Sequence, residues 1–178
     1  MLDGAVIEQW FSEYQTCVYN YLVHYVDRTS ADDLLQETFL RAWKSLHTFR
    51  GDASPKTWLC RIARNVAIDF LRVQNRRNEW VSPSDDSAFD TPSSEPLPEE
   101  YAALNELKSS LAACIERLQP NYREVIVLHG ILEMSIAETA EVTGWSQAKV
   151  RITYHRAIKA LQRALTDAEK GGFEQWIR

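Results

Sequence analysis

The sequence has few of the residues that build disulfide frameworks, metal centres or membrane spans. Cys17, Cys60 and Cys114 are its three cysteines, and no two of them form a C-x-x-C pair. This odd, scattered set argues against disulfides and zinc, so we expect each to be a small buried hydrophobe. No apolar run reaches the ~18 residues of a membrane span, and the start, MLDGAVIEQW, lacks a basic signal-peptide region. We expect a reduced, cytoplasmic protein with no metal and no other cofactor.

The sequence also lacks the spacings that are typical of catalytic sites. Its four histidines, at positions 24, 47, 129 and 155, are scattered, and neither a phosphate-binding loop nor a nucleophile–base pair is recognisable. An enzyme is therefore not expected, and no catalytic residue is assigned.

Basic residues are absent from one segment of the chain, whose net charge is −5 overall. Residues 78–100 carry seven acids, no Lys or Arg, and four of the six prolines. Such a composition cannot bury enough apolar surface to fold, so it predicts an extended acidic linker. The linker would separate an N-terminal domain, residues 1–77, from a C-terminal domain, residues 101–170, which a short tail, residues 171–178, follows.

Acidic residues are absent between Glu141 and Asp167, where the sequence predicts a long helix from Ser146 to Leu165. Ser146 is a good N-cap, and apolar residues recur at the spacing of one inward face. Because the other face is purely cationic, it suits a polyanion. Its members are Lys149, Arg151, His155, Arg156 and Lys159.

A shorter helix, residues 136–142, is predicted before this one, with Ser135 as its cap. Gly144 can supply the positive φ of a tight turn. The spacing of Ala140, Gly144 and Val150 is that of a helix-turn-helix, which lays its second helix in the DNA major groove. An ordinary helix hairpin with a solvated face is the alternative, but the one-signed charge favours DNA binding.

Apolar periodicity predicts further helices over residues 5–26, 31–46, 55–74, 101–118 and 122–132, so we expect an all-α fold of two small helical domains. Ser30 is expected to cap the second helix. Ser54 and Pro55 are expected to begin the third. The core stripe of the second helix is expected to contain Leu35, Phe39, Ala42, Trp43 and Leu46. The inward residues of the fourth are expected to be Leu104, Leu107, Leu111, Ile115 and Leu118.

Two surfaces of the N-terminal domain are candidate binding sites. Asp33, Gln36, Glu37 and Leu40 form a patch beside the core stripe, which is either a docking surface or a solvated face. Between positions 41 and 77 there are nine Lys or Arg against two Asp. A basic stripe beside a polar loop suits single-stranded nucleic acid, although a solubilising face has the same composition.

These segments resemble the extracytoplasmic-function group of bacterial sigma factors. Residues 32–43, DDLLQETFLRAW, resemble sigma region 2.2. FRGD at 49–52, TWLCRIARN at 57–65 and Asp69 resemble regions 2.3 and 2.4, and residues 118–165 resemble region 4. The group contains only these two regions.

The resemblance implies an alternative sigma factor that binds core RNA polymerase, through the β′ clamp helices and the β flap, and promoter DNA. It assigns polymerase docking to Asp33, Gln36, Glu37 and Leu40. It assigns capture of a −10 base to Arg50, Gly51, Asp52 and Ser54. It assigns −10 strand contacts to Lys56, Arg61, Arg64, Asn65 and Arg72. It assigns −35 reading to Lys149, Arg151, Ile152, His155, Arg156 and Lys159. An anti-sigma factor, often membrane-anchored, is the implied regulator of such a stress-response protein.

Ile152 stands where the family often has a small polar residue. The −35 sequence that is common in the family is therefore not assigned to this chain. Pro55 and Lys56 stand where many members have an aromatic or other bulky residue, so the −10 base preference is also left open. The alternative function is a dimeric helix-turn-helix regulator, which would need a dimerisation surface and would bind its operator without polymerase.

Overall fold

The structure, a computed structural model, describes the backbone of residues 2–78 and 99–176 and the side chains of residues 4–76 and 108–167. Every regular element within these residues is helical, which confirms the all-α prediction. Residues 79–98, most of the predicted linker, lie outside the described residues, as do the side chains of Leu104, Leu107 and the tail. Among the described helices, none combines the length and the apolar character that crossing a bilayer requires.

The N-terminal half consists of three long helices that pack on one another. They are α1 (Leu2–Leu22), α2 (Arg28–Ser45) and α3 (Pro55–Asn78), and a 3₁₀ turn (Leu46–Thr48) follows α2. The periodic apolar residues that predicted these helices also form their shared core. Its fully or almost fully buried members include Val18, Tyr21, Leu22, Ala31, Ala42, Leu59, Cys60, Ala63, Val66 and Ala67.

The start of α2 differs from the prediction. The helix begins at Arg28, and its N-cap is Asp27, whose Oδ1 accepts a hydrogen bond of 2.9 Å from the Ser30 N–H. This bond lowers the pKa of the Asp27 carboxyl, because it favours the charged form. The expectation that Ser30 caps the helix was therefore wrong, since the helix begins three residues before the predicted Ala31 and Ser30 lies in its first turn.

Trp43 was wrongly assigned to the core, because it is 54% exposed. The buried face of α2 instead runs through Ala31, Leu34, Thr38 and Ala42. Successive helical residues are turned by about 100°, so the residue after Ala42 points well away from that face.

The start of α3 agrees with the prediction. Ser54 Oγ accepts a hydrogen bond of 3.1 Å from the Thr57 N–H, and Pro55 is the first helical residue. The helix continues to Asn78, about one turn beyond the predicted end. It therefore carries the basic residues from Lys56 to Arg77 on one continuous helix.

The C-terminal half contains α4 (Glu99–Glu116), α5 (Pro120–Val125) with a π-helical turn (Ile126–Ile131), α6 (Ile136–Thr143) and α7 (Gln147–Trp176). Ile115 and Leu118 are buried as expected, but Leu111 is 38% exposed, so its inward assignment was wrong. The fifth helix begins at Pro120, the proline expected to start it, and its second half is the π turn. The last helix runs through the predicted tail to Trp176.

The caps of the helix-turn-helix are those that the sequence predicts. Ser135 and Glu138 form a reciprocal capping box on α6. Gly144 ends α6 with a φ of 72°, in the left-handed region that favours glycine. Ser146 Oγ then accepts a hydrogen bond of 3.2 Å from the Lys149 N–H and so begins α7, whose Val150 is fully buried against the rest of the unit.

The two halves share a hydrophobic core, because α6 packs across α3. Buried residues of α3, including Leu59 and Ala63, belong to the same cluster as residues from the C-terminal half. Those residues are Val127, Leu128, Leu132, Met134 and Val142. The side of α3 that carries part of the predicted −10 surface is therefore in contact with the helix-turn-helix half.

Candidate nucleic-acid interface

The first three turns of α7 present a continuous cationic surface to solvent. All six residues assigned to −35 reading are exposed, and Ile152 has an exposed fraction of 54%. Val150 and Ala157 are fully buried on the opposite side, so this orientation is fixed by packing. The ammonium of Lys149 lies 4.0 Å from the centre of the Trp145 ring, a cation–π contact that holds it at the helix start. The exposed set is Lys149, Arg151, Ile152, His155, Arg156 and Lys159.

A second basic surface lies where the loop before α3 meets the helix itself. Together they line an open groove with a volume of about 410 Å³. Gly51 adopts a φ of 79°, which lets the loop turn back toward α3. Five of the residues assigned to the −10 element lie together in this groove: Arg50, Gly51, Asp52, Arg61 and Asn65. A groove of this size, with an arginine on the loop and another on the helix, can receive a flipped base and its phosphate.

Four other residues assigned to the −10 element do not line the groove. Ser54 Oγ is occupied by the N-terminal cap of α3. Lys56 Nζ donates a hydrogen bond of 2.5 Å to the backbone oxygen of Leu132. Arg64 pairs with a carboxylate of the C-terminal half, and Arg72 is exposed farther along α3. The family resemblance assigned these residues to the −10 element and could not reveal the partners that Lys56 and Arg64 bind.

The partner of Arg64 is Glu124, on α5. Arg64 Nε lies 2.5 Å from Glu124 Oε1, and Arg64 Nη2 lies 3.4 Å from Oε2. Burial alone would lower the pKa of Arg64, but the hydrogen bond and charge of Glu124 outweigh it and raise that pKa. The Tyr21 hydroxyl also donates to Glu124 Oε1 at 3.4 Å. Glu124 is thus a buried carboxylate that holds a cation of the predicted −10 surface.

The predicted docking patch lies on the exposed side of α2. Asp33, Gln36 and Leu40 are exposed, and the Glu37 side chain is 41% exposed. Glu37 Oε1 accepts from Arg41 Nε at 2.6 Å, and Arg41 Nη1 donates to an Asp69 oxygen at 3.1 Å. Both hydrogen bonds raise the pKa of Arg41, and the bond to Glu37 has the larger effect. Within the patch, Glu37 is therefore ion-paired to Arg41 while it stays partly exposed.

Trp43 extends this patch and was missed as a surface residue. It follows Gln36 and Leu40 at the i, i+4, i+7 spacing of one helix face, and its indole is more exposed than the Leu40 side chain, which is 41% exposed. The spacing was a signal that could have identified it, but an aromatic residue on an amphipathic helix is more often part of the core.

No metal centre is found in the part of the chain that the structure describes, because no three His, Cys, Asp or Glu side chains there come close enough to hold an ion.

Two family models match separate parts of the chain. Residues 10–77 match the family model Sigma-70 region 2, and residues 108–161 match the model Sigma-70, region 4. The chain is 37% identical over 155 residues to the ECF RNA polymerase sigma factor SigX of Bacillus subtilis (strain 168), with coverage of 86% of this chain and 80% of that protein. SigM of the same organism is 31% identical over 160 residues, covering 88% and 93% respectively.

Two solved structures resemble the fold. CnrH, solved in complex with the cytosolic domain of CnrY, has a TM-score of 0.66 and 29% identity, with coverage of 93% of this chain and 90% of CnrH. The sigma factor RpoE of Bartonella quintana, solved with the anti-sigma factor NepR, has a TM-score of 0.72 at 20% identity, covering 89% and 96%, which is a likeness of fold. Since both sigma-70 regions match in order and SigX aligns along most of both chains, the protein belongs to the extracytoplasmic-function sigma factors, the alternative initiation factors of RNA polymerase.

Proposed function

We propose that this sigma factor contacts promoter DNA at two separate surfaces, the −35 duplex on α7 and the opened −10 strand at the groove beside α3. The observation that carries the proposal is the convergence of Arg50, Gly51, Asp52, Arg61 and Asn65 on one groove. These residues come from a loop and a helix, and all of them were assigned to the −10 element from the sequence. The polymerase performs the chemistry, while this chain recognises and opens the promoter.

At the −35 element, α7 would enter the major groove with its first turns deepest. Arg151 can offer two donors to a guanine edge, and Ile152 can make only apolar contact, for instance with a thymine methyl. His155 and Arg156 follow one turn later on the exposed side. Lys149 and Lys159 would bind phosphates, because a flexible ammonium is a point charge without a planar fork.

At the −10 element, the groove would receive an extruded base while the exposed cations of α3 follow the strand backbone. Arg61 lines the groove and is exposed, and Arg72 is exposed three turns further along the helix. Lys56 and Arg64 would join these contacts only after releasing Leu132 and Glu124. Ser54 would act mainly through its cap on α3, which fixes the loop against the helix.

Polymerase docking would use the exposed face of α2, with Asp33, Gln36, Glu37 and Leu40 on the β′ clamp helices. Trp43 adds an exposed indole to this face, and aromatic residues are enriched at the centres of interfaces. The C-terminal half would contact the β flap. The exposure of the α2 face supports this role, because the described part of the chain does not cover it.

An anti-sigma factor is the proposed regulator. The support is the relative CnrH, which was solved in complex with the cytosolic domain of another protein, CnrY. A dimeric regulator is not favoured, because such a protein would have no use for the sigma-70 region 2 match over residues 10–77.

The test is in vitro transcription with core polymerase, on promoters found by mapping transcript starts after the chain is overproduced. We expect a shared −35 and −10 pair upstream of these starts. We also expect −10 DNA to be opened by the polymerase complex and not by the chain alone. An identical footprint on the same DNA without polymerase would instead support the dimeric regulator.

A further inference from the structure

The turn of the helix-turn-helix holds Trp145 in a fixed position. Its backbone N–H donates to the Ala140 oxygen at 3.1 Å and to Thr143 Oγ1 at 3.3 Å. Its half-buried side chain packs against the hydrophobic cluster that contains Ala140 and Val150. The backbone and the ring are therefore both anchored to the body of the unit, so the indole forms a rigid platform at the start of α7.

The side chain of Lys149 lies over this platform. Lys149 follows Trp145 by four positions, in the first turn of α7, where its backbone N–H donates to Ser146 Oγ. The residue is exposed, and its Nζ lies 4.0 Å from the centre of the indole ring. An aromatic face attracts a cation within about 6 Å. This attraction removes some of the rotamer freedom that a long, exposed lysine otherwise keeps.

The indole orders this cation without neutralising it. Arg41 and Arg64 are ordered by carboxylates, which also offset their positive charge. Lys149, in contrast, makes no ion pair with another described residue. The indole has no net charge and covers only one side of the ammonium, so the charge and the N–H donors remain available to an anion.

Lys159 is the natural comparison on the same surface of α7. It is also exposed, but within the described residues it makes neither a cation–π contact nor an ion pair. A phosphate that binds Lys159 must therefore order a free side chain, and the entropy lost in doing so opposes binding. The Lys149 side chain is ordered by Trp145 before DNA arrives. The two lysines thus differ in preorganisation, although their chemistry is the same.

We propose that Trp145 is a positioning residue of the −35 surface, which holds the Lys149 ammonium ready for a phosphate of the DNA backbone as α7 enters the major groove. The proposal rests on the proposed role of α7 at the −35 duplex and adds a residue that acts through Lys149. Because phosphates carry no sequence information, Trp145 changes the affinity for every −35 sequence alike. Base preference stays with Arg151 and Ile152.

The test is a double-mutant cycle between the ring and the cation. Trp145→Leu keeps an apolar side chain but removes the ring, Trp145→Phe keeps a ring, and Lys149→Ala removes the ammonium. Polymerase complexes that carry these full-length variants, singly and combined, are titrated onto a labelled duplex of a promoter found by transcript mapping. Fluorescence anisotropy at several potassium chloride concentrations gives Kd and its salt slope. Thermal unfolding followed by circular dichroism verifies that each variant is folded.

We expect Trp145→Leu to raise Kd about two- to fivefold, the factor that corresponds to an exposed cation–π contact, and Trp145→Phe to keep most of the affinity. Lys149→Ala should raise Kd and reduce the salt slope by about one unit. In the Lys149→Ala background, Trp145→Leu should have no further effect. In the matched Lys159→Ala background, Trp145→Leu should keep its full effect.

A second measurement needs no change at Trp145. The ring current of an indole shields protons above its face, so the free full-length chain with isotope-labelled lysine should show an upfield-shifted ε-methylene resonance in its NMR spectrum. Lys149→Arg, at an exposed position, assigns this resonance by removing it. A spectrum without such a resonance would overturn the proposal.

The cycle can also overturn the proposal. An equal loss of affinity from Trp145→Leu with and without the Lys149 ammonium would reduce Trp145 to a packing role, and unchanged affinity in Trp145→Leu would leave it no role in binding. An unchanged Kd in Lys149→Ala would leave no phosphate contact to position. Arg151→Ala then shows which claim has failed: if it still weakens binding, the −35 role of α7 stands and only the positioning role falls, whereas unchanged binding by both variants removes the proposed −35 role as well.

Discussion

Arg64 of α3 and Glu124 of α5 form an ion pair with an Nε–Oε1 distance of 2.5 Å, although 60 positions of sequence separate them. Removing one partner of a buried pair leaves the other charge uncompensated, at a cost of roughly 3–5 kcal/mol. An Arg64→Ala variant would therefore disturb the packing of the two halves as well as any DNA contact. Tests of the −10 surface must use other arginines.

Polymerase docking is expected to depend on the acidic face of α2. Glu37→Arg should abolish co-purification with core polymerase. It should leave folding intact, because the Glu37–Arg41 pair is exposed and such pairs stabilise by about 0–1 kcal/mol. Glu8→Arg makes the same charge change at an exposed position of α1 and should bind normally. Retention of polymerase by the Glu37 variant would exclude this face as the docking site.

The −35 surface is expected to divide into base-reading and phosphate-binding residues. Arg151→Ala should cost about 1–3 kcal/mol on the preferred sequence and relax preference at one base position. Lys159→Ala should weaken all sequences alike and reduce the salt slope by about one unit. The measurement is transcription from a library of −35 sequences by polymerase complexes that carry either Arg151→Ala or Lys159→Ala. The assignment is wrong if Lys159→Ala alone shifts the preference.

The capping box of α6 should contribute measurably to stability. Ser135 Oγ accepts from the Glu138 N–H at 3.2 Å, and Glu138 Oε2 accepts from the Ser135 N–H at 2.9 Å. Ser135→Ala removes the first bond, which should lower the free energy of unfolding by about 1 kcal/mol and Tm by about 2–4 °C. Ser12→Ala, at an exposed position of α1, is the control and should unfold like the unmodified protein. Equal Tm values for the two variants would contradict the capping role.

Cys17 is expected to be reactive at lower pH than an ordinary thiol. A hydrogen bond from the Cys60 thiol, aided by the charge of Lys56 and opposed by burial, lowers the pKa of Cys17 to about 7. Because the thiolate is the nucleophile, the rate of alkylation by iodoacetamide should rise with pH around a midpoint of about 7, rather than the ordinary value of about 8.5.

Cys60→Ala should move this midpoint upward, since it removes the largest cause of the shift. Mass spectrometry of the modified peptide separates Cys17 from Cys60 and Cys114, which are both buried. A midpoint at the ordinary value in the unmodified chain would refute the expectation.

Local chemistry explains why the helix-turn-helix could be predicted so closely. The cap at Ser135, the left-handed turn at Gly144 and the start of α7 at Ser146 each depend on a few adjacent residues. A side-chain oxygen that reaches an N–H two or three residues on is visible in the sequence. The same reasoning failed at Ser30, because Asp27, three residues earlier, also has a side-chain oxygen that can cap a helix, and it is this carboxylate that caps α2.

Long-range partners explain what could not be predicted. Arg64 and Lys56 have the same spacing as free surface cations, yet each binds an acceptor in the other half of the chain. Helical periodicity describes a helix against an unspecified core and says nothing about a second domain. Trp43 was misassigned for a related reason. Its indole is exposed, as in residues that bind a partner protein, and the sequence of one chain does not show which surfaces bind partners.

The most direct measurement is permanganate reactivity of unpaired thymines near the transcription start, in polymerase complexes that carry Arg61→Ala and Arg72→Ala together. Both side chains are exposed, so their loss opens no cavity and should change stability by at most about 0.5 kcal/mol. The matched control replaces two exposed cations of the C-terminal half, Lys108 of α4 and Arg117 directly after it. We predict normal polymerase binding by both double variants, normal reactivity in the control and lost reactivity in the α3 variant. Normal reactivity in the α3 variant would contradict the assignment of strand opening to this helix.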